Sequence, residues 1–246
     1  MPRPFIMVAP NGVKRTKSDH PQLPVSIPET VAVTKACVDE GADALHLHVR
    51  DENGGHSLDV GLYREALSEL DRVLPGLPVQ ITTEAGGIYD VEAQLGVIED
   101  LRPAWASLSL REAARDAGLA RRLYDMATDQ GTELQHIIFD EADAALLADW
   151  QANGVIGQDA SVLLVLGRYT RDMNSDPAAL APLLAALPPV GKWMLCAFGA
   201  NEHACLLKAA GLGGDVRIGF ENSFVQASGE PWPDMMASVR AFCAAL

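Results

Sequence analysis

ALHLHVRDENGGHSLDVGLYREALSELDRVLPGLPVQITT, residues 44–83, holds one complete structural unit. Its first six residues alternate aliphatic and histidine side chains, the pattern of a strand with two unlike faces. A turn rich in Gly, Asp and Asn follows, and then VGLYREALSELDRVL (60–74), whose apolar residues recur every three or four positions as on an amphipathic helix. PVQITT (78–83) reads as a second short strand. Strand, helix and strand in this order describe a parallel pair with its crossover.

The alternation continues in both directions. Strands are expected at FIMVAP (5–10), ALHLHV (44–49), PVQITT (78–83), AWASLSL (104–110), ELQHIIF (133–139), SVLLVLG (161–167), KWMLCAF (192–198) and VRIGF (216–220). Helix-like segments follow them, such as PETVAVTKACVDEG (28–41) and PAALAPLLAALP (177–188), with Pro28 at a helix start and Gly41, Gly131 and Gly211 where helices should stop. Eight repeats in 246 residues match a (β/α)8 TIM barrel forming a single domain over 1–246. The alternative is an open doubly wound sheet, which usually carries a glycine fingerprint after its first strand; VAPNGVKRT is not G-x-G-x-x-G.

Composition narrows the class. Hydrophobic residues make up 48% of the chain, enough for one sizeable core. A net charge of -14 argues against a nucleic-acid or anionic-membrane surface. No apolar run has the length of a membrane span, and MPRPFIMVAP lacks the features of a secretory signal, so a cytoplasmic protein is expected. Cys37, Cys196, Cys205 and Cys243 are too scattered for a disulfide framework and are expected as reduced thiols.

The chemistry starts from the histidines. Residues two apart on a strand share a face, so His46 and His48 point together into the barrel while Leu45, Leu47 and Val49 pack under the helices. They lie near the carboxyl end of their strand, where barrel enzymes keep their active sites. Two imidazoles at this spacing can bind one divalent ion and leave positions open, although a pair of satisfied core histidines has the same pattern. In VRIGFEN the same alternation places Arg217, Gly219 and Glu221 on one face, and only the first strand separates this one from the histidine strand. A carboxylate at Glu221 can complete a two-histidine, one-carboxylate set suited to zinc or a similar ion, with Gly219 leaving room beneath it. Asn11, Thr82, Glu84, Ser107 and Ser109 collect at the same strand ends, where a purely structural barrel prefers aliphatic residues.

NGVKRTKSDHPQLPVSIPE, GADALHLHVRDENGGHSLD, WASLSL, QHIIFD, CAFGANE and GGDVRIGFEN together resemble the β-keto acid cleavage enzymes, in order and along the whole chain. The resemblance implies a (β/α)8 barrel with one divalent metal ion per chain, usually zinc, held by His46, His48 and Glu221. It implies a condensation of a β-keto acid with acetyl-CoA, followed by cleavage to acetoacetate and a new acyl-CoA. Arg217 corresponds to the family's catalytic arginine, and Thr82, Ser107 and Ser109 to the residues that hold the keto acid. The resemblance, with the alanine-rich helices, also makes a homotetramer the expected assembly.

The sequence departs from the family at three places. Asn222 follows the metal-ligand glutamate where the family has an aspartate base, and an amide cannot take that proton. Lys14 replaces an acidic residue in the loop after the first strand, and the family's C-terminal extension does not appear before Leu246. Glu84 is the first candidate for the base and His136 the second. Arg217 is expected to grip a carboxylate or a developing oxyanion. Lys14, Arg15 and Lys17 in one loop, and Arg168 and Arg171 in another, are expected to supply local positive charge for the coenzyme A phosphates in an otherwise anionic protein. Two rivals remain: a metal-dependent TIM-barrel hydrolase, which needs further histidines on middle strands, and a non-catalytic barrel stabilised by a closed metal shell. The side chain of the keto acid is not encoded in any motif.

Overall fold

The computed structural model describes residues 3–246; Met1 and Pro2 lie outside the described residues. Eight parallel strands close a barrel. They are β1 (Ile6–Val8), β2 (Ala44–Leu47), β5 (Val79–Thr82), β6 (Trp105–Ser109), β7 (Glu133–Ile138), β8 (Ser161–Leu166), β9 (Lys192–Ala197) and β10 (Asp215–Ile218). The ring runs β1-β10-β9-β8-β7-β6-β5-β2 and closes where Met7 pairs with Ala44. A small antiparallel hairpin, β3 (Val49–Arg50) with β4 (His56–Ser57), stands outside it. The expected (β/α)8 class is therefore present.

Helices α1 (Ile27–Asp39), α2 (Val60–Val73), α3 (Val91–Leu101), α5 (Ala117–Gln130), α6 (Glu141–Ala152), α7 (Leu180–Ala186), α8 (Glu202–Gly211) and α9 (Met235–Ala245) wrap the sheet, and a one-turn helix, α4 (Leu110–Ala113), is added after β6. Their starts are written in side chains. Ser26 and Glu29 form a reciprocal capping box on α1 with Pro28 in its first turn, and Asp59, Asp90, Asp116, Asp140 and Asp234 cap α2, α3, α5, α6 and α9. Each such cap satisfies backbone N–H groups that the helix leaves unpaired and contributes about 1 kcal/mol. Part of the negative charge thus has a structural use. Gly131 closes α5 in the left-handed conformation as expected, whereas Gly211 is the last residue of α8 and not its stop.

Two apolar layers follow from strand alternation. Ile6, Val8, Leu45, Leu47, Ile81, Leu164, Val216 and Ile218 face outward and pack with Tyr63, Leu70, Leu123, Leu147, Leu206 and Phe242 of the helices. Met7, Ala44, Leu163, Val165, Met194 and Cys196 fill the interior. Burying an aliphatic or aromatic side chain of this kind stabilises the fold by about 1.5–3 kcal/mol. The four cysteines are free, and Cys243 alone among them is partly exposed.

The barrel strands end one or two residues earlier than expected, and two of these ends shape the site. The strand expected to run to Val49 stops at Leu47, because its ladder with β5 ends where Leu47 pairs with Ile81 and the chain then leaves for the hairpin. The strand expected to run to Phe220 stops at Ile218, where Gly219 adopts φ +147°. A side chain there would collide with the Ala9 carbonyl, so glycine lets β1 and the end of β10 touch. Its role is this close approach and not a space beneath Glu221.

Candidate active site

His46 and His48 meet at the mouth of the barrel, their Nε2 atoms 3.1 Å apart. Glu221 arrives by the turn after Gly219, with its backbone N–H donating to the Ala9 carbonyl at 3.1 Å, and not by strand alternation. Its Oε2 lies 3.7 Å from His46 Nε2 and 3.6 Å from His48 Nε2. All three side chains are buried and their ligand atoms lie within 4.8 Å of one another. Burial, then the Arg217 charge, pushes the His46 imidazole well below its ordinary value; burial and then His56 do the same to His48. Burial alone would raise the Glu221 carboxyl, but Arg217, His46, Arg168 and Arg50 outweigh it and hold the group below the usual carboxylate range. Two neutral imidazoles and a carboxylate are the protonation states a metal requires.

The spacing of the three donor atoms suits a divalent ion. Metal–ligand bonds of about 2.0–2.2 Å give tetrahedral edges of about 3.3–3.6 Å, close to the separations of the three donor atoms. Oε2 of Glu221 is buried and has no hydrogen-bond partner, so this carboxylate oxygen is left for another kind of contact. Only three donor side chains meet here, and His46 and Glu221 line the adjoining space, so room is left for substrate, unlike a closed four-ligand structural shell.

Arg217 stands beside this group as expected. Its guanidinium lies 3.3 Å from Glu221 Oε1 and 3.5 Å from Cys196 Sγ, while its Nε and the other terminal nitrogen have no partner. Glu84, at the rim, is 3.3 Å from Arg168. Burial, then repulsion from Glu221, raises its carboxyl to about 7 against the opposing pull of Arg168. Thr82 is buried below it and accepts the Glu84 N–H at 3.0 Å, which leaves its hydroxyl proton available to a ligand. Ser107 and Ser109 are buried with unpartnered hydroxyls. Asn11 donates to the Pro24 carbonyl at 3.2 Å and keeps an unpaired oxygen.

A cavity of about 420 Å³ opens above Glu221 and is bordered by Asn11, Lys14, Arg15, Glu84, Arg168 and Tyr169. Beneath it a narrower space reaches His46, Thr82 and Arg217 between Phe139, Val165 and Phe198. Of the expected basic groups, Lys14, Arg15 and Arg168 border the cavity; Lys17 is instead bound to Glu29 at 2.8 Å, and Arg171 lines neither space. Asn222 turns its amide to the Arg217 carbonyl (3.2 Å) and to Glu202 (3.4 Å), away from both spaces. His136 faces outward, stacked on Tyr124 with Nδ1 2.9 Å from the Ser161 carbonyl, and burial lowers it to about 4. It cannot serve as the base. The strand position responsible is even, whereas Gln135 and Ile137 of the same strand face inward.

Four supporting residues were not picked out by sequence reasoning. Gln80 and Gln135 face into the barrel below His46, and the alternation that selects Thr82 also selects Gln80. Glu202, inside the CAFGANE segment, is fully buried and accepts from the Gly219 N–H at 3.1 Å; burial raises its carboxyl to about 8. Arg50 binds the carbonyls of Gly12, Arg15 and Gly54, tying the hairpin to the loop that borders the cavity.

A (β/α)8 barrel with a two-histidine, one-carboxylate group at its mouth defines a candidate metal-dependent enzyme. The chain belongs to the β-keto acid cleavage enzyme family, whose model matches residues 4–246. It is 24% identical over 240 residues to the 3-keto-5-aminohexanoate cleavage enzyme of Acetoanaerobium sticklandii, covering 94% of this chain and 87% of that protein. It is 28% identical over 233 residues to the 3-oxoadipate:acetyl-CoA acetyltransferase of Cupriavidus necator, covering 89% and 80%. The apo structure of ObcA shares the fold, with a TM-score of 0.73 at 15% identity; 92% of this chain matches it and spans 62% of its length. Among the described residues, no helix is long and apolar enough to cross a membrane.

Proposed function

We propose that this protein condenses a β-keto acid with acetyl-CoA and cleaves the product, releasing acetoacetate and the acyl-CoA of the remaining acyl group. The observation that carries the reading is the convergence of His46, His48 and Glu221, of which His46 and Glu221 line a space that also holds Glu84 and Arg168. The names of the relatives, one acting on 3-oxoadipate and acetyl-CoA, support it.

His46, His48 and Glu221 would hold one divalent ion, zinc by the nature of the donors. Such an ion would supply Lewis-acid stabilisation of developing negative charge. Glu84 takes the proton from the α-carbon, since a carboxyl near 7 is balanced between holding and giving up a proton at neutral pH. It replaces the base that Asn222 cannot be. The free nitrogens of Arg217 stabilise the oxyanion formed when the carbon nucleophile attacks the thioester. Thr82, Ser107 and Ser109 offer hydroxyls to the keto acid, and Asn11 orders the loop above it. Lys14, Arg15 and Arg168 place positive charge at the cavity border, where an anionic thioester must pass.

The test is a screen of β-keto acids with acetyl-CoA and the zinc-loaded protein, following acetoacetate and new acyl-CoA together. Equimolar release of both is expected. Turnover of the keto acid without a CoA ester would overturn the transferase reading in favour of a hydrolase.

A further inference from the structure

Inside the barrel, beneath the candidate metal group, three polar side chains that none of the steps above uses form a file behind His46. His46 Nδ1 lies 2.8 Å from Gln80 Oε1, Gln80 Nε2 donates to Gln135 Oε1 at 3.1 Å, and Gln135 Nε2 reaches Ser161 Oγ at 3.5 Å. Gln80 is 0% and Gln135 2% exposed, so water does not compete for these bonds. Two buried glutamines in a barrel interior are costly unless paired, and here each is paired on both sides of its amide.

A primary amide has an acceptor at one end and a donor at the other, so the direction of one member dictates the next. With the Gln80 oxygen toward His46, the ring carries its proton on Nδ1 and bares the Nε2 lone pair toward His48 and Glu221. Reversing the file would aim an N–H of Gln80 at Nδ1. The ring proton would then move to Nε2, and His46 would face Glu221 as a hydrogen-bond donor and not as a ligand. His48 has no such support, since its Nδ1 has no partner. The protein therefore fixes one of its two imidazoles from behind.

We propose that Gln80, braced by Gln135, is a positioning residue of the metal centre, holding His46 in the tautomer and ring orientation that presents Nε2 to the ion. This rests on the reading of His46, His48 and Glu221 as ligands. A hydrogen-bonded partner behind a metal-binding histidine typically changes metal affinity 10–100-fold.

The experiment uses the purified full chain in four forms: parent, Gln80→Leu, Gln80→Glu and Gln135→Leu. Zinc affinity is measured by competition with a chromophoric chelator, unfolding by urea, and the protonated ring nitrogen of His46 by 15N NMR of the metal-free parent. The expected results are a proton on Nδ1 in the parent, a 10–100-fold loss of zinc affinity in Gln80→Leu, and a smaller loss in Gln135→Leu. Gln80→Glu, which keeps the acceptor, should bind at least as tightly as the parent. A Gln80→Leu protein that unfolds more easily but binds zinc like the parent shows a packing role and overturns the proposal, as does a proton on Nε2 of His46. If Gln80→Leu does not fold, the other two variants and the ring shifts decide by the same criteria. A parent that binds no divalent ion overturns this proposal and the metal reading together. Weakened zinc binding in Gln80→Leu beside a parent that releases no acetoacetate removes only the proposed reaction.

Discussion

Replacing Glu202 with Gln should flatten the dependence of stability on pH. The Glu202 carboxyl is fully buried, accepts from Gly219 and Asn222 through Oε1, and leaves Oε2 without a partner. Folding raises it from 4.5 to about 8. A group raised on folding contributes stability that is complete below its unfolded value and is lost as pH climbs toward the folded one, because the native state binds the extra proton. The window is therefore about pH 4.5 to 8. Within it the slope approaches about 1.4 kcal/mol per pH unit, so moving from pH 5 to pH 7 should cost the parent about 2.5 kcal/mol from this group alone. Glutamine has nearly the shape of the protonated acid and keeps the acceptor for Gly219, but it cannot ionise. Urea unfolding of metal-free parent and Glu202→Gln at pH 5, 6 and 7 isolates the term, since every other titrating group is common to both. The gap between the proteins should move by roughly 2–3 kcal/mol in favour of the variant as pH rises. Parallel curves would refute the reasoning.

Four further outcomes follow from the site. His48→Ala should purify with far less zinc than the parent by elemental analysis, as two ligands hold the ion poorly; equal content would remove His48 from the ligand set. Arg217→Lys keeps the charge but loses the planar fork, so kcat/KM should fall by about 10-fold or more with zinc content unchanged; an unaltered rate would make Arg217 a packed interior residue. Glu84→Gln should lower kcat about 100-fold or more and abolish the ascending limb of the pH profile, whose midpoint in the zinc-loaded parent should lie between the ordinary 4.5 and about 7, because the ion offsets the repulsion from Glu221. The same limb persisting in the variant would assign the base elsewhere. Arg168→Gln removes the opposing charge at 3.3 Å and should shift that limb upward while raising KM for acetyl-CoA more than for the keto acid; neither change appearing would leave Arg168 without a part in either binding or base.

Alternation of apolar and polar residues made the barrel legible, because a two-residue period and a helical period exclude one another over such lengths. It also placed His46, His48 and Arg217 correctly, since the inward and outward faces of a closed sheet have opposite chemistry. It failed where the chain leaves the sheet. Glu221 was assigned to the right place by a strand that in fact ends at Ile218, and the turn at Gly219 happened to preserve the side. Polarity alone makes His136 a candidate base, although its own strand's alternation turns it toward Tyr124. Lys17 was grouped by proximity in sequence, and a carboxylate on α1 claims it. Glu202 gives no periodic signal at all. Its importance is produced by the three-dimensional contact of a helix start with the end of another strand.

The seam between β1 and β10, where Ile6 pairs with Val216, also orders events in time. A ribosome delivers both imidazoles when less than a quarter of the chain exists, but the carboxylate and its arginine emerge only with the last strand. Closing so long a loop is slow, and nothing local anticipates it. Until β10 slots between β1 and β9, His46 and His48 lack Glu221, and two imidazoles alone would hold an ion only loosely. For the proposed metal centre, tight capture would thus be a timestamp for ring closure, and a nascent chain stalled before Glu221 would carry the fold's histidines without the third donor.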